Sequence, residues 1–153
     1  MNEQEKLELA HMLSETGFSL RRYFHTSIFQ EGDDESIPVL TPPQMEMIIA
    51  IHAHRRMTVK QLAQALFVKA PSVSNRVDRL VEMGILTREE NPADRREVLI
   101  RISPGHTQCI EEVERRRFQA AMKLIDKIGP EHARMWRAVL QRIDEVLENA
   151  EYG

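Results

Sequence analysis

The sequence predicts a mainly α protein with one small β-hairpin, and three observations lead there. Apolar residues recur at three- and four-residue spacing over most of the 153-residue chain. Two capping boxes, Thr41-Pro42-Pro43-Gln44 and Thr58 with Gln61, mark helix starts. One stretch breaks the helical period: Ile85-Leu86-Thr87-Arg88 and Val98-Leu99-Ile100-Arg101-Ile102 flank a polar loop holding Asn91-Pro92, which reads as two strands and their turn. The length fits one domain able to bury its own core. A composition of 42% hydrophobic and 29% charged residues is that of a soluble globular chain.

Residues 4–28 are expected to form the first helix, with Leu9, Leu13, Leu20, Phe24 and Ile28 apolar among charged neighbours. Gly17 inside it costs about 1 kcal/mol relative to Ala and allows a bend. Glu31-Gly32-Asp33-Asp34-Glu35 reads as a solvated linker, because the ordered ligand spacing of a cation loop is missing. The second helix opens at Thr41, where a Pro in the first turn loses no needed hydrogen bond. Met45, Ile48, Ile49 and Ile51 form its buried stripe, and it ends near His54-Arg55-Arg56.

Thr58 opens a third, short helix, and Phe67-Val68-Lys69 forms a tight turn after it. A fourth helix begins near Ala70 and Pro71. Ala70, Val73, Val77, Leu80 and Val81 share one face; Ser72, Asn75 and Arg79 lie opposite, with Ser74 and Arg76 on the flanks. Gly84 ends this helix as a residue free to adopt positive φ. Hydroxyl, amide and guanidinium groups on an outward helical face are those that reach base edges in a DNA major groove, although a short polar face alone favours a solvated helix, and it is the hairpin after it that changes the reading. Helix, turn, helix and hairpin in that order make a winged helix-turn-helix. Asp94-Arg95-Arg96 stands near the hairpin tip, where an Arg can enter a narrow minor groove.

After the hairpin, Ser103-Pro104 starts a long helix whose apolar side holds Ile110, Val113, Ala121, Leu124, Ile125 and Ile128. Gly129-Pro130 stops it. A last helix over 131–148 places Trp136, Val139, Leu140, Ile143, Val146 and Leu147 at helical spacing. The first and last helices carry more apolar surface than a small winged lobe needs. Leu9, Leu13, Trp136, Val139, Leu140, Ile143 and Leu147 are therefore expected to meet a second copy of the chain. This divides one structural domain into an N-terminal dimerisation helix and loop (1–40), a winged lobe (41–102) and C-terminal dimerisation helices (103–153).

The net charge of −3 is unevenly spread: residues 1–54 hold 3 Lys/Arg against 9 Asp/Glu, residues 55–101 hold 10 against 6, and residues 102–153 hold 8 against 9. Only the middle segment is positive, which is where phosphates would be met. No apolar run approaches the roughly 20 residues of a membrane span. The acidic start MNEQEKLELA lacks the basic region of a signal peptide. A single cysteine excludes an internal disulfide and suits a reducing cytoplasm.

The segment from Val73 to Ser103 resembles the recognition helix and wing of the MarR family of bacterial transcription regulators. The features that carry this are Asp78-Arg79-Leu80, Gly84, Arg88, Asn91-Pro92, Asp94-Arg95-Arg96, the β-rich return strand and Ser103. Where typical members read LTxxG after the wing, this chain reads Ile102-Ser103-Pro104-Gly105, and Ser and Pro still start a helix well. The resemblance implies a homodimer that binds a near-palindromic double-stranded operator, acting as a repressor released by a small anionic or phenolic ligand. It implies Arg96 as the minor-groove residue and Asp94 as the residue that fixes the wing. Ser72, Ser74, Asn75, Arg76 and Arg79 are expected in the major groove, with Arg95 in the wing and Lys69 and the Thr58 helix start on phosphates. Candidates for the ligand are Arg21, Arg22, His52 and Phe67, although residue type and position favour a solvated face for Arg21 and Arg22 and a satisfied helix residue for His52.

Competing readings are a metal- or oxidant-responsive regulator of the same fold, a winged helix used only for protein contacts, and an enzyme. No two His stand four apart, which leaves no zinc pair on a helix face. Cys109 lies beyond its helix's first turn and reads as an inert thiol. His106 and Cys109 lack an orienting third residue, and no Gly-rich phosphate loop exists, so no enzyme and no cofactor is expected.

Overall fold

The computed structural model describes residues 1–29 and 37–148. The acidic segment read as a linker, Glu31 to Glu35, lies outside the described residues. Helix α1 (Glu3–Phe29) runs unbroken through Gly17, and α2 (Pro42–His54) follows. The winged lobe continues with β1 (Met57–Thr58), α3 (Val59–Ala65), α4 (Ala70–Glu82), β2 (Leu86–Glu90) and β3 (Val98–Ile102). One 3-10 turn, Pro104–His106, leads into α5 (Thr107–Glu148).

Three of these elements differ from the sequence expectation. The hairpin is part of a three-stranded antiparallel sheet ordered β1-β3-β2, because Met57 and Thr58 pair with Ile100 and Leu99. The first wing strand runs on through Glu89 and Glu90, opposite Leu99 and Val98, which shortens the loop. The C-terminal region is two helices, as the sequence predicts, broken at Gly129, whose φ of 81° and ψ of 161° are open to glycine alone; α5 names the two together. The α-helical hydrogen bonding of α5 also starts later than Ser103, after the 3-10 turn.

The helix-turn-helix is closed at both joints by the same capping geometry. At the end of α3 the Phe67 N–H donates to the Gln64 carbonyl and the Val68 N–H to that of Ala63. At the end of α4 the Gly84 N–H donates to Val81 and the Ile85 N–H to Leu80. Both are Schellman motifs, which need a residue at positive φ after the cap. Gly84 supplies it at 75° without strain, and Phe67 supplies it at 52° against its own Cβ.

The core sits inside the winged lobe. Met47, Ile48 and Ile51 of α2 meet Leu62 of α3, Val73, Val77 and Leu80 of α4, and Ile85, Leu86 and Ile100 of the sheet. Burial of each such side chain stabilises by roughly 1.5–3 kcal/mol. On α4 the apolar face is Val73, Val77 and Leu80, with Val81 half-buried; Ala70 is exposed, one turn before the helix meets the core. Ile28 at the end of α1, with Ile110 and Val113 at the start of α5, joins the helical stalk to this core. Two polar contacts reinforce that junction: Tyr23 donates its hydroxyl hydrogen to the Ala120 carbonyl at 3.0 Å, and Arg116 donates to the Ile28 carbonyl at 3.1 Å.

Candidate nucleic-acid interface

The buried face of α4 fixes what the opposite face can present. With Val73, Val77 and Leu80 in the core, Asn75 and Arg79 are exposed, and Ser72, Ser74 and Arg76 are half-buried on the flanks. Ser72 stands on a ridge between two concavities. One, of about 540 Å³, has Thr41, Pro43 and Gln44 on its α2 wall and Ser72, Asn75, Arg76, Asp78 and Arg79 on its α4 wall. The other, of about 990 Å³, runs along α3 and the turn, past Lys60, Gln64, Phe67 and Lys69 to Ser72.

The wing is held by its own polar groups. The Asn91 side chain accepts from the Ala93 N–H at 3.1 Å and donates to the Glu97 carboxylate at 3.2 Å. Asp94 accepts the Arg96 N–H on its carboxylate at 2.9 Å, and the Glu97 N–H reaches the Asp94 carbonyl. An aspartate bonding a backbone N–H two residues on is an Asx turn, which fixes the tip independently of the core. Arg95 and Arg96 are exposed at that tip.

Two acidic groups in this region are tied to cations. Asp78 on α4 accepts from Arg88 on β2. Glu89 is bracketed by Arg101 and, at 3.9 Å, by Arg56. Lys60, Lys69, Arg79, Arg95 and Arg96 are exposed and Arg76 half-buried, so cations outnumber the exposed Glu82, Glu90 and Asp94, and such a surface attracts a polyanion.

Residues 40–97 match the profile of the MarR family. Over that segment, the winged lobe, the chain is similar to the MarR family. It is 27% identical over 134 residues to an uncharacterised HTH-type transcriptional regulator, YdgG, of Bacillus subtilis, an alignment covering 86% of each chain. Three solved structures share the fold. A MarR family protein from Bacillus stearothermophilus superposes with a TM-score of 0.75 at 20% identity, over 97% of this chain and 99% of that one. A mutant MarR from E. coli complexed with operator DNA gives 0.74 at 19% identity, over 91% and 95%. BpsR of Bordetella bronchiseptica, whose DNA binding is regulated by 6-hydroxynicotinic acid, gives 0.69 at 19% identity, over 93% and 94%. The fold is thus that of these MarR proteins, the winged helix that the sequence predicts.

Within that MarR fold the remaining expected residues fall in separate places. Thr58 does not face outward: it is buried, its hydroxyl accepts the Gln61 N–H at 3.1 Å, and its own N–H donates to Gln61 at 2.8 Å. Its contribution is to hold α3 and β1 together, and the phosphate contact expected of it is withdrawn. The four ligand candidates do not converge. Arg21 pairs with Glu46 at 3.6 Å, Arg22 is exposed on α1, and His52 meets Glu114 of α5 at 3.1 Å. Phe67 lines the concavity beside α3, among residues of the helix-turn-helix alone. Leu9, Leu13, Val139, Leu140, Ile143 and Leu147 are all exposed in the single chain, and Trp136 is half-buried.

Cys109 is half-buried and shares a cavity of about 680 Å³ with His106, Glu112 and Arg115. Among the described residues no group of three or more His, Cys, Asp or Glu is placed to hold a metal ion. No helix among them is long and apolar enough to cross a membrane. Sequence reasoning missed that Gln44 lines a concavity shared with α4 and that Asp78 pairs with Arg88. Gln44 was legible only as a cap, and nothing in the spacing of Asp78 and Arg88 announces that β2 folds back onto α4.

Proposed function

We propose that this chain is a homodimeric, sequence-specific regulator that binds near-palindromic double-stranded DNA and represses transcription until a small anionic or phenolic ligand releases it. The observation that carries the DNA-binding part is the outward face of α4. Asn75, Arg76 and Arg79 stand free of the core there, and Arg88 ties off the Asp78 carboxylate, while Glu82 lies at the far end of the same helix. Asn and Arg are the side chains suited to bidentate bonds with adenine and guanine edges. Ser72, Ser74, Asn75, Arg76 and Arg79 enter the major groove, Lys69 meets phosphate, and Arg96 and Arg95 reach the adjoining minor groove from a wing held by Asp94.

The exposed apolar residues of α1 and of the second arm of α5 support dimerisation. Six large aliphatic side chains left in water on two helices are the pattern of an unformed interface, and a stable one buries roughly 2,000 Å² or more. Two copies then hold their α4 helices roughly 34 Å apart, one turn of B-DNA. Ligand release follows if the ligand prefers one spacing over the other. Arg21, Arg22 and His52, where the lobe meets the stalk, are the residues from which that preference would be built. The cytoplasm is the compartment in which such a protein works.

The test is a titration of duplex DNA against purified protein over a range of salt. A DNA binder loses log affinity linearly with log salt as counterions are released. Protein that retards no duplex selected from a random pool would end this reading.

A further inference from the structure

We infer that the two concavities beside Ser72 seat the two phosphodiester strands that border one major groove, with Gln44 and Lys60 as backbone contacts on opposite strands. The inference rests on the DNA-binding reading above and deepens it. A major groove about 12 Å wide is nearly filled by a helix 10–12 Å across, so each strand must run along one flank of that helix. The flanks of α4 are these two concavities, and Ser72 is the residue common to both.

The chemistry of each wall suits a phosphate. On the α2 side the Gln44 Oε1 accepts from the Thr41 N–H at 2.9 Å and from the Thr41 hydroxyl at 3.0 Å. That fixes the amide orientation and turns the Nε2 hydrogens, which can only donate, away from Thr41. Arg76 faces Gln44 across the same concavity. On the α3 side Lys60 and Lys69 contribute two positive charges and no lining residue is acidic. Asp78 also lines the α2-side concavity, its carboxylate held by Arg88, so a phosphate there is met by the amide and the guanidinium, and on the other flank by two ammonium groups.

The test separates a phosphate contact from a structural cap. Gln44→Glu keeps the capping box, since Glu serves as well as Gln at that position, but it places a carboxylate where the amide donated. Lys60→Gln removes a charge from an exposed side chain. Duplex is selected by the wild-type protein from a random-sequence pool long enough for two half-sites, and each variant is titrated on it across salt. Gln44→Glu should bind at least about tenfold more weakly with an unchanged thermal midpoint. Lys60→Gln should flatten the salt slope by about 0.9 per protomer. Ethylation of single phosphates should show interference lost on one strand for one variant and on the other strand for the other. If both variants match the wild type in affinity, slope and ethylation pattern, the inference is wrong while the DNA-binding reading stands. If the wild type binds no duplex, both fall together.

Discussion

Arg88 of the first wing strand donates from Nη2 to the Asp78 carboxylate in the middle of α4, so the wing and the outward helix are oriented by one charged contact. Side-chain exposures of 41% and 52% make it a weak stabiliser, worth at most about 1 kcal/mol. Its electrostatic effect on a polyanion is larger than its effect on folding, and the two partners act with opposite sign. Arg88→Ala leaves an unpaired carboxylate toward DNA and should weaken binding about fivefold. Asp78→Asn removes that carboxylate and should hold or raise affinity for unrelated duplex. Both should leave the thermal midpoint nearly unchanged. Anisotropy titrations that moved both variants in the same direction would contradict this assignment.

Arg96 and Asp94 divide their work at the wing tip. The Asp94 carboxylate is spent on the Arg96 backbone N–H, and the guanidinium of Arg96 is left outward. Arg96→Ala should cost about 1–3 kcal/mol of operator binding without altering the oligomeric state. Asp94→Ala loosens the turn and should cost less, whereas Asp94→Asn retains the acceptor and should cost least. An Arg96→Ala protein that binds its operator as the wild type does would remove the wing from the interface.

The parts legible in the sequence are those written in local chemistry. Gly84 after an amphipathic run predicts a helix end because positive φ is cheap only there, and the Ile85 N–H does close that motif. Thr58 with Gln61, and Thr41 with Gln44, announce helix starts because the hydrogen bonds span three residues. Contacts between distant segments are not written this way. Met57 and Thr58 form a strand only because Ile100 and Leu99 lie beside them, and two residues have no period to read. Phe67 takes positive φ at a place where glycine would be expected, so the turn was found and its strain was not. For the same reason residue type alone points to Arg21 and His52 as ligand residues, and the fold pairs them with Glu46 and Glu114.

Glu112 predicts a specific acid limb. Hydrogen bonds from Arg115, at 2.6 and 2.7 Å, and from Arg116, at 2.8 Å, hold its carboxyl down from 4.5 to about 2. A carboxylate whose pKa is depressed on folding stabilises above the unfolded value and loses that contribution as pH falls through the folded one. Wild-type stability should therefore drop from near pH 4.5 down to about 2 in part through this residue. Glu112→Gln should lower the midpoint at neutral pH and flatten the decline below it. Thermal scans in which both proteins decline in parallel would show that the pair carries no linkage.

Gly129 sets the break in α5 through its backbone alone. At φ 81° and ψ 161° a Cβ would meet nothing within 4 Å, so replacing it tests conformation rather than packing. Gly129→Ala should destabilise by about 1–3 kcal/mol, or re-angle the second arm to relieve the strain. Calorimetry reads the first outcome, and weakened self-association reads the second. An unchanged midpoint with unchanged association would mean that the break is not held at this residue.

Leu140 decides whether the two arms of the stalk serve a dimer. It is 46% exposed, and it lines an apolar cavity of about 570 Å³ with Phe24, Ile125 and Trp136. Because that surface lies outside the winged core, Leu140→Asp should leave circular dichroism and the fold of the lobe intact. Sedimentation should show a monomer in place of a dimer. Loss of the second half-site removes the intramolecular advantage of the pair, so operator affinity should fall by about 10²-fold or more. The residual binding should still weaken with salt, since each lobe keeps its own phosphate contacts. A Leu140→Asp protein that sediments as a dimer places the interface elsewhere, and a monomer with full operator affinity makes pairing irrelevant to DNA.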